Sequence, residues 1–291
     1  MSFSIKELES LSGIKAHTIR IWEQRYSFLK PSRTLTNIRT YSNEELKTLL
    51  TVALLNKHGY KISRIDNMPP DQRRHEVLHL NNTEATSEQL VNDLIGAMID
   101  LDFIQFENLL TQHISQHDVF TTISGIVFLF LEKVGILWQT NRINPAHEHV
   151  ASCIIRQKLI RAIDQLPITS QTTPLFLLFL PEGEHHELGL LFVYYLLKKR
   201  GLPVLYLGAN VPLKDVSYVV TEKAPACLYQ HLSSFPLKQQ FSKYIQSLSE
   251  RAPHAQILLS GALVEYYKKQ LPPNVQTLKS LSAVISYIQS I

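Results

Sequence analysis

The chain has 291 residues, 45% of them hydrophobic and 19% charged, with a formal net charge of +4. That is a globular composition with enough apolar content for about two domains. With no unbroken apolar run near the ~18 residues of a membrane span, no transmembrane helix is predicted. The opening MSFSIKELES is charged early and lacks an apolar signal-peptide core, so a cytoplasmic protein is expected. The two cysteines, Cys153 and Cys227, stand far apart in apolar surroundings and read as buried free thiols. Charge is uneven: Lys and Arg outnumber Asp and Glu by six between residues 1 and 74, which leaves the remainder slightly acidic. A basic N-terminal unit on a near-neutral body points to nucleic acid at one end.

In chain order, Ile5, Leu8 and Leu11 fall at helical spacing behind Ser4, and Gly13 stops that helix. KAHTIRIWEQRY resumes the helical period with Ile19 and Trp22 on one side. Helix, glycine turn, helix is the helix-turn-helix pattern. KPSRTLTNIRTYS then reads as a loop or short hairpin. Ser42, three residues before Glu45, opens an amphipathic helix with a capping box. A short KISRIDNM helix closes the unit, and MPPDQRR reads as a linker. From Glu84 to Gln165 four segments carry apolar stripes of period ~3.6, which predicts a four-helix bundle. After Pro167, five apolar runs alternate with helical segments, which predicts a parallel sheet covered on both faces.

Thr18, Arg20, Gln24 and Arg25 belong to the second helix, and Lys30, Arg33, Arg39 and Tyr41 to the hairpin after it. A helix entering the major groove needs polar side chains for base edges, and a wing with Arg and Tyr supplies phosphate contacts. A small protein-interaction module with solvated charges is the alternative on spacing alone. The segments HTIRIWEQRY, KPSRT and IRTYS, in that order over about seventy residues, resemble the winged helix of the MerR family. That resemblance implies a double-stranded DNA operator, read by dimers at pseudo-palindromic sites. Thr36 and Asn37 stand where many relatives have two glycines, which implies a stiffer wing tip.

The stretch PEGEHHELG (181–189) follows the first strand of the predicted sheet, at the carboxyl end where open α/β sheets hold ligands. His186 can offer one ring nitrogen to a metal while Glu184 fixes the other, and Gly189 permits close backbone approach. An ordinary polar loop is the alternative. The pattern Glu184-x-His186-x-x-Gly189 resembles the cobalamin-binding DxHxxG motif, with Glu for Asp. Trp138, nine residues, then Glu148 and His149 resembles the capping motif of the light-responsive CarH and LitR repressors. Those resemblances imply a multidomain chain: an all-α winged helix-turn-helix at 1–75, a four-helix bundle cap at 76–172, and an α/β Rossmann-like cobalamin-binding domain with a five-stranded parallel sheet at 173–291. They imply His186 as the lower ligand of the cobalt of adenosylcobalamin or methylcobalamin, with Trp138 and Glu148 closing over the upper group.

Three departures qualify the likeness. Gln139 stands where light-sensing relatives have a second cobalt-binding histidine. Gln230-His231-Leu232 replaces the Ser-x-Leu of the pocket for the cofactor's displaced base tail. Ser260-Gly261 replaces a glycine pair beside it. The resemblance implies a repressor, not an enzyme, working as a dimer or tetramer, with cobalamin and light as its signals. The alternatives are a cobalamin-independent regulator controlled by an antirepressor protein and a corrinoid methyltransferase carrier.

Overall fold

In a computed structural model of the chain, Ser4 caps α1 (Ile5–Ser12): its hydroxyl accepts from the Glu7 N–H while Glu7 reaches back to the Ser4 N–H. Gly13, at φ 73°, ends the helix in the left-handed conformation. The structure describes all residues except 1, 81–82, 140–142, 171–173, 234–240 and 266–269, and in helices it omits the side chains of residues 78, 83, 138, 139 and 265. It divides into two compact units, Met1–Ile154 and Ile155–Ile291.

In the first unit α1 packs against α2 (Ala16–Arg25), with Leu8, Leu11, Ile19 and Trp22 buried between them. Three short strands, β1 (Ser2–Phe3), β2 (Ser32–Arg33) and β3 (Arg39–Ser42), form an antiparallel sheet in the order β1-β3-β2. The wing is the β2–β3 hairpin. Its tip closes without glycine because Asn37 takes φ 62°, a conformation Asn tolerates better than most residues, and its side chain accepts from Arg33 at 2.8 Å. Ser42 then caps α3 (Asn43–Lys57) with the expected capping box to Glu45. After α4 (Ile62–Asp66), the predicted linker is instead helical. Pro70 sits at the first position of α5 (Pro70–Leu78), where its missing N–H costs nothing. Arg73 of α5 is buried, donating to the carbonyls of Ile65 and Asp66, which ties the helix to α4.

The four predicted helical segments follow: α6 (Thr83–Ile99), α7 (Phe103–Gln116), the run α8 (Val119–Thr122), a π-turn (Ile123–Val127) and α9 (Phe128–Gln139), then α10 (Pro145–Asp164). Helix α6 packs on α7 and on α9, and also against α3. Against the expectation of no membrane-length helix, Val119–Leu137 is long and apolar enough to span a bilayer by length and composition. Glu132 and Lys133 interrupt the apolar run and conceal that length in the sequence. Ile123, Ile126, Val127, Phe130 and Val134 of this helix are buried in the unit's core. Cys153, expected inside, is exposed on α10, whereas Cys227 is buried as predicted; both are free thiols.

The second unit contains a five-stranded parallel sheet made from the five predicted runs: β4 (Phe176–Pro181), β5 (Val204–Val211), β6 (Cys227–His231), β7 (Gln256–Ser260) and β8 (Val275–Leu278), in the order β5-β4-β6-β7-β8. β4 is buried at every position, as a strand covered on both faces must be. Leu177, Phe179, Leu228, Ile257 and Leu259 share a core with α13 (Phe241–Arg251), which lies beside α12 (Leu213–Lys223). Helices α11 (Leu188–Lys199) and α14 (Leu281–Ser290) pack on each other, and α11 lies on β4, β5 and β6. The chain reverses direction across the sheet between β4 and β6. In such sheets the crevice outside the carboxyl ends at that point is where ligands bind.

Candidate functional site

That crevice begins with the loop between β4 and α11. Glu184 is wholly buried there. Its Oε1 accepts the backbone N–H of His185 at 2.9 Å, the N–H of His186 at 3.0 Å, and the His186 Nδ1 proton at 2.6 Å. The backbone of Glu184 is held as well: its N–H donates to the Pro181 carbonyl and its carbonyl accepts from Asn210, whose side chain takes the Gly183 N–H. A buried carboxylate is stable only with such bonds around it. The arrangement puts the proton of neutral His186 on Nδ1 and leaves Nε2 as the nitrogen a metal would take. The His186 side chain is 64% exposed while its anchor is not, which is the form of a ligand presented from a rigid base. His185 is exposed. Glu187, one residue on, pairs with Arg156 at 2.6 Å and accepts from the Tyr206 hydroxyl at 3.0 Å, so it braces the loop.

The next strands add a second cluster. His231 and Ser260 face each other across β6 and β7, and His231 Nδ1 lies 2.9 Å from Ser260 Oγ. Ser260 Oγ in turn lies 2.5 Å from the hydroxyl of buried Tyr229. Burial pushes the His231 imidazole down to about 4, so it is neutral at pH 7. This imidazole lies against Gly189: a Cβ there would fall 2.2 Å from its Cδ2. Gly261, at φ 97°, backs onto the Leu232 backbone in the same way. Gln230, expected at the cofactor, points to the opposite face, because side chains alternate along a strand. It donates to Tyr244 of α13, and its Oε1 is buried without a partner among the described residues. His231, on the other face, is the residue of this strand that lies against Gly189. The alternation of β6 carried that signal in the sequence.

Of the remaining predicted cofactor residues, the side chains of Trp138 and Gln139 lie outside the described residues. Glu148 and His149 stand in the first turn of α10, with His149 Nδ1 3.4 Å from Glu148 Oε2. Among the described residues no group of three His, Cys, Asp or Glu side chains is placed to hold a metal ion. The donor set at Glu184–His186 is thus a single anchored imidazole. This fits a metal that brings its other ligands with it, as the cobalt of a corrinoid does.

On the DNA-binding fold, Arg20, Gln24, Arg25, Lys30 and Arg33 are exposed and Thr18 is partly so. Of the other two predicted contacts, one is buried and one is partly exposed and bonded within the fold. Tyr41 is fully buried, and burial together with the nearby Glu23 carboxylate pushes its hydroxyl up to about 12. Arg39 gives its Nε to both oxygens of Glu23, at 2.7 and 3.0 Å, and so links the wing to α2. Both were assigned from a linear pattern, which does not reveal the partner on the neighbouring helix. Replacing Arg25, Lys30 or Arg33 singly with alanine is expected to weaken DNA binding uniformly across sequences and lower the salt slope by about one, measured by titrating a labelled operator over a range of salt.

Residues 3–70 match the family of MerR HTH family regulatory proteins, and residues 90–162 match the B12 binding domain. Over 218 residues the chain is 30% identical to the HTH-type transcriptional repressor CarA of Myxococcus xanthus, covering 73% of this chain and 70% of that protein. It is 24% identical over 230 residues to the HTH-type transcriptional repressor CarH of the same organism, covering 77% and 76%. The fold resembles the monomethylamine corrinoid protein of Methanosarcina barkeri at a TM-score of 0.57 and 14% identity, over 70% of this chain and all of the other. With its helix-turn-helix, its helical segment of the B12 binding type and its five-stranded parallel sheet, the chain belongs to the family of MerR-type DNA-binding transcriptional regulators that includes the CarA and CarH repressors.

Proposed function

We propose that this protein is a repressor whose hold on its operator is governed by cobalamin, bound through His186. The observation that carries the reading is the anchored imidazole: His186 Nδ1 2.6 Å from a wholly buried Glu184, at the carboxyl end of the strand beside the sheet's switch point. When bound, cobalamin would supply a cobalt able to take an imidazole nitrogen and, in its alkyl forms, a light-sensitive cobalt–carbon bond. His186 would hold that cobalt through Nε2. Glu184 keeps the proton on Nδ1 and raises the basicity of the ring. Glu187, through Arg156 of α10 and Tyr206 of β5, holds the loop in place. The B12 binding match and the corrinoid-protein fold support the reading, and the relatives named as repressors support the direction of control. Operator binding by two copies, each with its own α2 and wing, is the arrangement a helix-turn-helix of this type uses.

A ligand shifts a regulator only by binding its two states unequally. The cofactor is therefore proposed to favour one state of association, with adenosylcobalamin as the form and light as the signal that removes it. The test is a gel shift on the promoter fragment next to the gene, run without cofactor, with adenosylcobalamin in the dark, and after illumination, alongside a spectral titration. The expected result is a visible cobalamin spectrum altered on binding, a DNA shift that depends on cofactor, and loss of both effects in His186→Ala. A gel shift indifferent to cobalamin, with no spectral change from any cobalamin, would overturn the proposal.

A further inference from the structure

We propose that His231 is a plug in the crevice beside His186, so that the site takes a corrinoid lacking its nucleotide arm in preference to complete cobalamin. This rests on the reading that His186 ligates cobalt. Cobalamin carries a base on a phosphodiester arm that competes for the lower axial position. Once an imidazole from the protein takes that position, base and arm must lie elsewhere. The space within reach is the crevice between the carboxyl ends of β4 and β6, where the sheet's connections diverge. Gly189, three residues past His186, is the position at which the chain lacks a side chain there.

That space is taken by the chain itself. The His231 imidazole reaches so close to Gly189 that a Cβ would meet its Cδ2 at 2.2 Å, its Nε2 at 2.4 Å and its Cγ at 2.5 Å. The ring is not loosely placed. Its Nδ1 is 2.9 Å from Ser260 Oγ, and Ser260 is buried and bonded to the buried hydroxyl of Tyr229. The second glycine of the region, Gly261, is backed by Leu232, whose carbonyl oxygen would stand 2.4 Å from an added Cβ. A nucleotide arm must therefore break the His231–Ser260 bond and turn the ring out. The ring has no charge at neutral pH with which to receive the phosphodiester.

The experiment compares adenosylcobalamin with adenosylcobinamide, which has the same ring and upper ligand but no base. Each is titrated in the dark into the full chain and read by absorption and equilibrium dialysis. If the plug stands aside in about one molecule in ten, it weakens cobalamin about tenfold on top of the cost of displacing cobalamin's own base, so cobalamin binds at least about tenfold more weakly than cobinamide. His231→Ser is expected to narrow that gap about tenfold by tightening cobalamin alone. His231→Phe, which fills the space without the hydrogen bond, is expected to keep it, and circular dichroism checks that both variants fold. Equal binding of the two corrinoids to the natural chain, or cobalamin binding to His231→Phe as tight as to His231→Ser, would overturn the plug while leaving the cobalamin reading intact. Binding of neither corrinoid overturns both.

Discussion

Glu184→Ala is expected to lower cobalamin affinity about 10–100-fold, the usual cost of removing the group that orients a metal-binding imidazole. The same change should destabilise the second unit, because one oxygen accepts two backbone N–H groups and the His186 ring. Stranding partly buried donors of this kind costs up to about 1–3 kcal/mol each, less where water reaches them. Glu184→Gln separates the two effects. Its carbonyl oxygen can replace Oε1 as acceptor, and it removes a charge that is wholly buried. Stability within about 1 kcal/mol of the natural chain is expected for Gln, together with weaker cobalamin binding, since a neutral amide does not raise the basicity of the ring. Equilibrium dialysis and thermal unfolding on the same samples read both. Full cobalamin affinity in the Gln variant would show that the carboxylate only shapes the loop.

Gly261→Ala is the substitution expected to damage the fold most. Two costs coincide. The backbone sits at φ 97°, where a Cβ is strained by about 1–2 kcal/mol. The new Cβ would also stand 2.4 Å from the Leu232 carbonyl oxygen and 2.7 Å from its carbon, atoms of a main chain fixed by the Leu232 N–H to Ser260 carbonyl bond at 2.7 Å. Neither side can yield as a flexible side chain would, so a total loss above about 3 kcal/mol is expected, in the range of overpacked sites. Gly59→Ala is the control, with φ 91° and nothing within 4 Å of its Cβ. Urea unfolding should show a small loss for Gly59→Ala and a large one for Gly261→Ala. Equal losses would mean that the close contact relaxes at no cost.

The features legible in the sequence were those whose cause is local. The caps at Ser4 and Ser42, the stop at Gly13 and the five apolar strands are each fixed within a few residues by hydrogen bonding or periodicity. The Glu184–His186 pair was legible for the same reason, being two residues apart. What the sequence hid is non-local. Arg39 and Tyr41 look like wing contacts until Glu23, 16 and 18 residues away, is placed beside them. Arg73 reads as linker charge until α4 presents its carbonyls. Pro70 is equally consistent with a break and with a helix start, and tertiary burial chooses the second. His231 differs in kind: the strand period put it on the crevice side, but only the fold sets its ring against Gly189.

The Glu23–Arg39 bond, with Tyr41 buried behind it, has a consequence for how an operator is measured. It braces the wing against α2, so that on the proposed mode of DNA binding the two would act as one stiff reader. Such a reader would be expected to keep its preferred bases when a signal arrives. What can change is the number of readers engaged and their separation along the duplex, in steps of the ~10 base pairs of a helical turn. Occupancy would then be recorded as the length and phasing of the protected DNA rather than as an altered consensus within each half-site.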